Sequence, residues 1–253
     1  MGTGGSLVSD KHAPIFLNNP TDKGLVVFIH GFMGSPRQFG ELGEAVHKRG
    51  FAVASLLLPG HNASIREFAS CTHDRWQSHV DSELERFSRV HADIWLAGHS
   101  MGGLLAINAA ARYGGHVRGI FSIACPFKLA TFSANTVKAR LKQAFSAEVS
   151  AAYRNGSSVP VSPSLIWRVR KPAAEVKKLM RVARENLRYI RAPVFAVYSA
   201  SDELTSIESL EILSSGLAGA SFEHLLLSDS LHAYYPERER EMIAQALLGF
   251  VCS

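Results

Sequence analysis

The six residues Gly98-His99-Ser100-Met101-Gly102-Gly103 follow directly on the apolar run DIWLA at 93–97. A serine with glycine two places before and two places after it fits a sharp turn from strand into helix, where a Cβ on either side would collide and the hydroxyl is held clear of the chain. Such a hydroxyl attacks a carbonyl carbon once a base takes its proton and a carboxylate orients that base. The pattern is short enough to recur by chance, and a plain glycine turn with an exposed serine is the alternative. Its partners therefore decide.

Three other stretches supply candidates. SASDELTS at 199–206 follows the apolar run APVFAVY, which sets Asp202 at the end of a strand, where a carboxylate can fix the tautomer of a histidine. The competing role for Asp202 is the N-cap of a helix beginning near Leu204, and one residue is expected to serve both ends poorly. Glu203 is less well positioned, and Asp229 lies too close in sequence to the base it would orient. SDSLHAYYPERERE at 228–241 follows the last apolar run, and His232 sits in the loop before the terminal helix. The chain has 11 histidines, most of them surface or packing residues by default, but only His232 occupies that loop. HGFMGSP at 30–36 follows LVVFI. Its glycines, Gly31 and Gly34, allow a close backbone approach, so the N–H of Phe32 could join that of Met101 in holding an oxyanion.

These residues need a scaffold that brings four strand ends together. Short apolar runs recur at 24–30, 51–59, 93–98, 117–125, 192–199 and 222–228. Their length and unbroken apolarity predict strands buried on both faces, hence a parallel sheet. Between them, SPRQFGELGEAVHKRG and THDRWQSHVDSELERFSRV place Phe39, Leu42 and Val46, then Trp76, Val80, Leu84 and Phe87, at helical spacing. Strand and helix in alternation predict an α/β fold with a doubly wound, mostly parallel sheet. Residues 126–190 break the rhythm with two helical patterns and a Ser- and Pro-rich loop, too long for an ordinary connection. They are expected to form a small helical cap on a core made of 1–125 and 191–253.

Composition narrows the function classes. With 253 residues, 47% of them hydrophobic, the chain can bury one large core. No signal-like segment or long apolar span is visible, which points to the cytoplasm. Cys71, Cys125 and Cys252 are scattered without metal-ligand spacing, so neither a disulfide framework nor a zinc site is suggested. The net charge is +5, but residues 126–190 hold 13 Lys and Arg against three Glu and no Asp, so the basicity is local. No aromatic-interleaved nucleic-acid motif accompanies it. The ordinary solvated side of an amphipathic helix is the simplest reading, and weak contact of the basic cap with an anionic membrane is the alternative.

The order Ser100, Asp202, His232, together with HGFMGSPRQF, LLLPGHN, HDRW, LAGHSMGG and SLHAYYPERE, resembles the α/β-hydrolase superfamily, in particular small carboxylesterases and monoacylglycerol-lipase-like serine hydrolases. The resemblance runs from about residue 24 to residue 250 and implies an ester hydrolase that needs no metal or other cofactor. It implies Ser100 as nucleophile, His232 as base, Asp202 as acid, and oxyanion N–H groups on Phe32 and Met101. The helical cap would follow the sixth strand, and the short N-terminal region suggests that the eight-stranded sheet usual in the superfamily is truncated. The expected substrate is a small ester with an apolar, short to medium acyl chain, or a monoacylglycerol. Thioester, amide and carbon–carbon bond hydrolysis on the same triad are alternatives, and a non-catalytic binding protein is the rival class. Met33, Phe127, Leu129 and Trp167 are expected to line an acyl pocket, with Phe132 and Ile166 as further candidates; each could equally be packing. The chain is expected to be a monomer or a homodimer.

Overall fold

The computed structural model describes residues 10–21, 23–131, 137, 146–159 and 165–253. The apolar runs become strands β1 (Ile15–Leu17), β2 (Leu25–Ile29), β3 (Ala52–Leu56), β4 (Ile94–His99), β5 (Val117–Ile123), β6 (Val194–Ser199) and β7 (Phe222–Leu227). They form one sheet in the order β1-β3-β2-β4-β5-β6-β7, parallel except for β1, which runs antiparallel on the edge of β3.

Both faces of the sheet are covered, which is why its central strands read as continuous apolar runs. On β2, Val26 and Phe28 enter one hydrophobic layer with Val46, Ile243 and Leu247, while Leu25, Val27 and Ile29 enter the other with Val80, Leu104 and Leu179. The first layer is closed by helices α1 (Gly40–His47) and α9 (Glu237–Cys252). The second is closed by α3 (His73–Ser88), α4 (Met101–Tyr113), α7 (Arg170–Asn186) and α8 (Glu208–Gly216). A short α2 (Ile65–Ser70) is held by a capping box between Ser64 and Glu67.

Strand order decides where a ligand can sit. The chain leaves β2 toward β3 on one side and leaves β4 toward β5 on the other, so a crevice opens at the C-terminal ends of β2 and β4. The loop at 30–35 and the turn at Ser100 flank that crevice.

The insertion follows β5, the fifth strand among the described residues and not the sixth expected from the sequence, because a single strand precedes β2. Its described helices are α5 (Ala147–Gly156), α6 (Leu165–Arg168) and α7. Apart from residue 137, the first cap helix expected from the sequence lies outside the described residues up to 145, as does Phe132, and the Ile166 side chain is likewise undescribed. Helix α7 does not stand over the sheet edge. Leu179 and Ala183 are buried in the same core layer as α4.

Candidate active site

Ser100 sits at φ 52°, ψ −120°, in the sparsely populated left-handed half of conformational space, between β4 and α4. Holding a non-glycine residue there costs roughly 1–3 kcal/mol, which the surrounding packing must supply. The two glycines explain how. A Cβ on Gly98 would lie 2.4 Å from the Gly102 carbonyl oxygen, and one on Gly102 would lie 1.9 Å from that of Ile29. The turn is thus wedged against β2, and only glycine fits at either position.

His232 reaches Ser100 from the loop after β7. Its Nε2 is 2.9 Å from Ser100 Oγ, and its Nδ1 is 2.9 Å from Asp202 Oδ2 and 3.1 Å from Oδ1. All three residues are buried. Asp202 also accepts the N–H groups of Leu204 and Thr205 on Oδ1, each at 2.8 Å. The helix expected to begin near Leu204 starts only at Glu208, so Asp202 closes a turn and caps no helix. A carboxylate has two oxygens and about four lone pairs, so it closes the turn with one oxygen and turns the other to the imidazole.

Burial alone would push the pKa of His232 down, and that is the strongest single influence on it. The Asp202 carboxylate, by charge and by hydrogen bond, and the charge of Glu203 together outweigh it and raise the pKa above the ordinary 6.5. Burial likewise opposes charge on Asp202, yet His232 and the two backbone N–H groups hold its carboxyl below the usual value.

Several supporting residues carry no sequence signal of their own. Glu203, next in sequence to Asp202, accepts the backbone N–H of His232 at 3.0 Å and also a hydrogen bond from the Tyr153 hydroxyl of α5. Glu239, in the first turn of α9, accepts the N–H of Ser228 at 2.8 Å and of Asp229 at 3.0 Å, and the Ser230 hydroxyl, and so pins the loop that carries His232. Adjacency to Asp202 was the one clue to Glu203; Tyr153 and Glu239 are brought in by tertiary structure alone. Asp229 is exposed and is not a partner of His232.

His99 packs behind the histidine loop. The Gln38 amide nitrogen stands 3.0 Å from His99 Nδ1, and the His232 carbonyl oxygen 2.9 Å from Nε2. An amide N–H donating to Nδ1 leaves Nε2 to donate to the carbonyl, and burial holds the ring neutral, with its pKa down at about 3. His99 is therefore a fixed neutral strut, not a second base. His61 lies farther back among His30, Phe68 and Trp76, with burial holding its pKa at about 4.

The loop after β2 lies against Ser100. A Cβ on Gly31 would come within 3.2 Å of Ser100 Cβ, so the backbone at 31–32 passes directly beside the serine. Met33 stands at φ 60°, and Ser158 from the insertion ties this loop down, donating its N–H to the Met33 carbonyl at 2.9 Å and its hydroxyl to the Gly34 carbonyl. Met101 opens α4, so its N–H is among the first-turn donors that have no carbonyl to bond within the helix.

Ser100 and His232 open into a cavity of about 620 Å³. Phe32, Met33, Phe39, Leu42, Ile243 and Ala244 give it apolar walls, α5 covers it, and Arg37, Glu41 and Arg240 are its charged lining residues beside Glu148. Met33 lines the cavity, but Phe127, Leu129 and Trp167 do not. Phe127 is buried in the main core, its backbone N–H bonded to Ser209 Oγ; Leu129 bridges to Thr205 with 42% exposure; Trp167 is 72% exposed on the outer surface. Apolar character marked them, but their burial or exposure is set by how the insertion folds back onto α4. Among the described residues, no cluster of three or more His, Cys, Asp or Glu is arranged to hold a metal ion.

Comparison with known proteins matches residues 20–239 to the family described as serine aminopeptidase, S33. A thermostable monoacylglycerol lipase from Bacillus sp. (strain H-257) is 22% identical over 227 residues, 89% of this chain and 89% of that protein. A structure from work on the metagenome-derived lipolytic enzymes LipS and LipT superposes with a TM-score of 0.77 at 22% identity, covering 96% of this chain and 98% of the other. A soluble variant of Saccharomyces cerevisiae monoglyceride lipase, bound to a substrate analogue, gives 0.72 at 16% identity, covering 94% and 90%. The structural likenesses show a common fold.

Proposed function

The chain belongs to the serine aminopeptidase S33 family of α/β-hydrolases, and from that premise we propose that it hydrolyses carboxylic esters of short to medium acyl chains, monoacylglycerols included. The observation that carries this reading is the continuous line Ser100 Oγ, His232 Nε2, His232 Nδ1, Asp202 Oδ2, which opens into an apolar cavity. The names of the lipolytic relatives support the choice of esters. Residues 126–190 interrupt a core formed by 1–125 and 191–253, with α5 as the covering part and α7 joined to that core.

In the first step Ser100 Oγ attacks the ester carbonyl carbon while its proton passes to His232 Nε2. The carbonyl oxygen, now negative, is held by the N–H groups of Phe32 and Met101. As the tetrahedral intermediate collapses, the C–O bond to the alcohol breaks and His232 hands its proton to the departing oxygen. Water then enters, gives a proton to His232, and attacks the acyl-enzyme. The second collapse releases the acid and returns the proton to Ser100. Asp202 stays ionised throughout, fixing the imidazole and stabilising its charged form.

The family description also invites an aminopeptidase reading, and the cavity argues against it. The carboxylates that line the cavity are Glu148, which accepts the Tyr234 hydroxyl at 3.0 Å, and Glu41, which faces Arg240 at 3.4 Å, while most of the remaining wall is apolar. A neutral ester fits those walls better. Ser100→Ala should abolish turnover of short p-nitrophenyl esters and labelling by a fluorophosphonate probe. Retention of full esterase activity in that variant overturns the proposal. Faster turnover of an aminoacyl anilide or an acyl-CoA than of the matching simple ester would move the substrate class to amides or thioesters.

A further inference from the structure

Helix α7 carries a charge pattern that the fold does not explain. Arg170, Lys171, Lys177, Lys178, Arg181 and Arg184 all occupy exposed positions, and among the described residues of the helix the exposed carboxylate is Glu185. Like charges three and four residues apart, as at 177, 181 and 184, repel on one helix face. The first turn has no acidic residue and instead holds Arg170 and Lys171, with Arg168 just before it, where the helix dipole is positive and cations are disfavoured.

Partners within the chain account for little of this charge. Lys178 pairs with the buried Glu175 at 2.8 Å, and Arg184 donates to the Phe127 carbonyl at 2.7 Å. Lys171, Lys177 and Arg181 meet no carboxylate among the described residues. Residues 132–145 and 160–164 of the same insertion contain no Asp or Glu, and they add Lys138, Arg140 and Lys142. The other side of α7 is committed to the core through Leu179 and Ala183, so the basic side faces outward by construction. An ordinary solvated helix face mixes both signs; this one is nearly all of one sign.

Two large aromatics stand at its ends. Trp167 is 72% exposed with the Arg170 guanidinium 5.6 Å from its ring centre, and Tyr189 is 52% exposed with that of Arg188 at 4.9 Å. Exposed Trp and Tyr beside Lys and Arg is the composition that sits at the headgroup level of a bilayer, where the ring is partly desolvated and the cation meets phosphate. We propose that the outward face of α7, flanked by Trp167 and Tyr189, docks on an anionic lipid bilayer. The surface is separate from the cavity at Ser100, and docking stands or falls independently of the hydrolysis proposed above.

The test is flotation of the full chain with vesicles of phosphatidylcholine alone, or of equal parts phosphatidylcholine and phosphatidylglycerol. Binding is expected only to the anionic vesicles, and to disappear as salt shortens the screening length from about 30 Å at 0.01 M to about 3 Å at 1 M. Each cation at an anionic surface is worth roughly fivefold in partitioning, so a Lys171→Gln, Lys177→Gln, Arg181→Gln triple variant should bind on the order of a hundredfold more weakly. Trp167→Ala should weaken binding while leaving the salt dependence in place. Thermal melting of each variant, expected to be unchanged, guards against misfolding, since these side chains are exposed. Equal binding to neutral vesicles, undiminished binding by the triple variant, or binding of duplex DNA at the same salt without binding to vesicles would overturn the proposal.

Discussion

The base proposed here, His232, acts only when neutral, and the two carboxylates beside it govern its working pH range. Asp202, and Glu203 more weakly, raise the pKa of His232 against the opposing pull of burial. The fraction of neutral His232 therefore grows as pH rises through a value above 6.5, and kcat/KM for a neutral ester should climb across that range. Asp202→Asn removes the main raising influence and leaves burial in control, so the ascending limb should move below 6.5 while the rate falls by about 10⁴ through loss of the correct tautomer. Glu203→Gln should move the limb the same way by a smaller amount, because it keeps a carbonyl oxygen to accept the His232 N–H. A profile of kcat/KM against pH for the three proteins checks both signs; a limb that stays in place in Asp202→Asn would mean that another group controls it.

At the scale of elements, α5 and the turn after it behave as a clamp. Tyr153 bonds Glu203, which holds the His232 backbone; burial first, and then the neighbouring Glu203 charge, keeps the phenol protonated well above its ordinary pKa and hence a donor. Val149 packs with Leu231 in a small cluster of its own, and Ser158 bonds the carbonyls of Met33 and Gly34 on the opposite loop. One segment thus touches both the loop of His232 and the loop beside Ser100. Ser158→Ala removes a single hydroxyl bond worth about 0.5–1.5 kcal/mol, so kcat should fall roughly three- to tenfold with KM nearly fixed. If KM rises with kcat unchanged, the segment contacts substrate and does not position the loop. None of this was legible beforehand, because Tyr153 and Ser158 lie in a polar stretch with no periodicity tied to the site. The strands were legible from their unbroken apolar runs, and Ser100, Asp202 and His232 from their places at strand ends. The short α2 escaped although Ser64 and Glu67 spell out its capping box; six residues are too few to show a period. The expected acyl-pocket residues Phe127, Leu129 and Trp167 went astray for a different reason: apolar character predicts burial or contact but not which wall a residue joins.

At the scale of the whole molecule, the insertion is divided between two tasks, and its stability should reflect that. Helix α5 covers the cavity, whereas α7 fills the layer over α4 that would otherwise leave the sheet's second face open. Glu175 on α7 also accepts both the backbone N–H of His73, at 3.2 Å, and its ring Nδ1, at 2.6 Å, and so ties the insertion to the start of α3. A cap that merely rested on the core could loosen without unfolding the rest. An element whose Leu179 shares a layer with Leu104 and Val27 cannot, because its loss opens a cavity in the common core. Leu179→Ala should therefore lower the global unfolding free energy by about 2–5 kcal/mol, seen in urea as one transition shifted to lower denaturant with an unchanged slope. A separate early transition, with the main one left in place, would instead show that residues 126–190 unfold as an independent unit. The basic outer face of α7 would then sit on a movable part, and docking at a lipid surface would bias the opening of the cavity; a single shared transition makes the same face a rigid handle fixed to the sheet that carries Ser100.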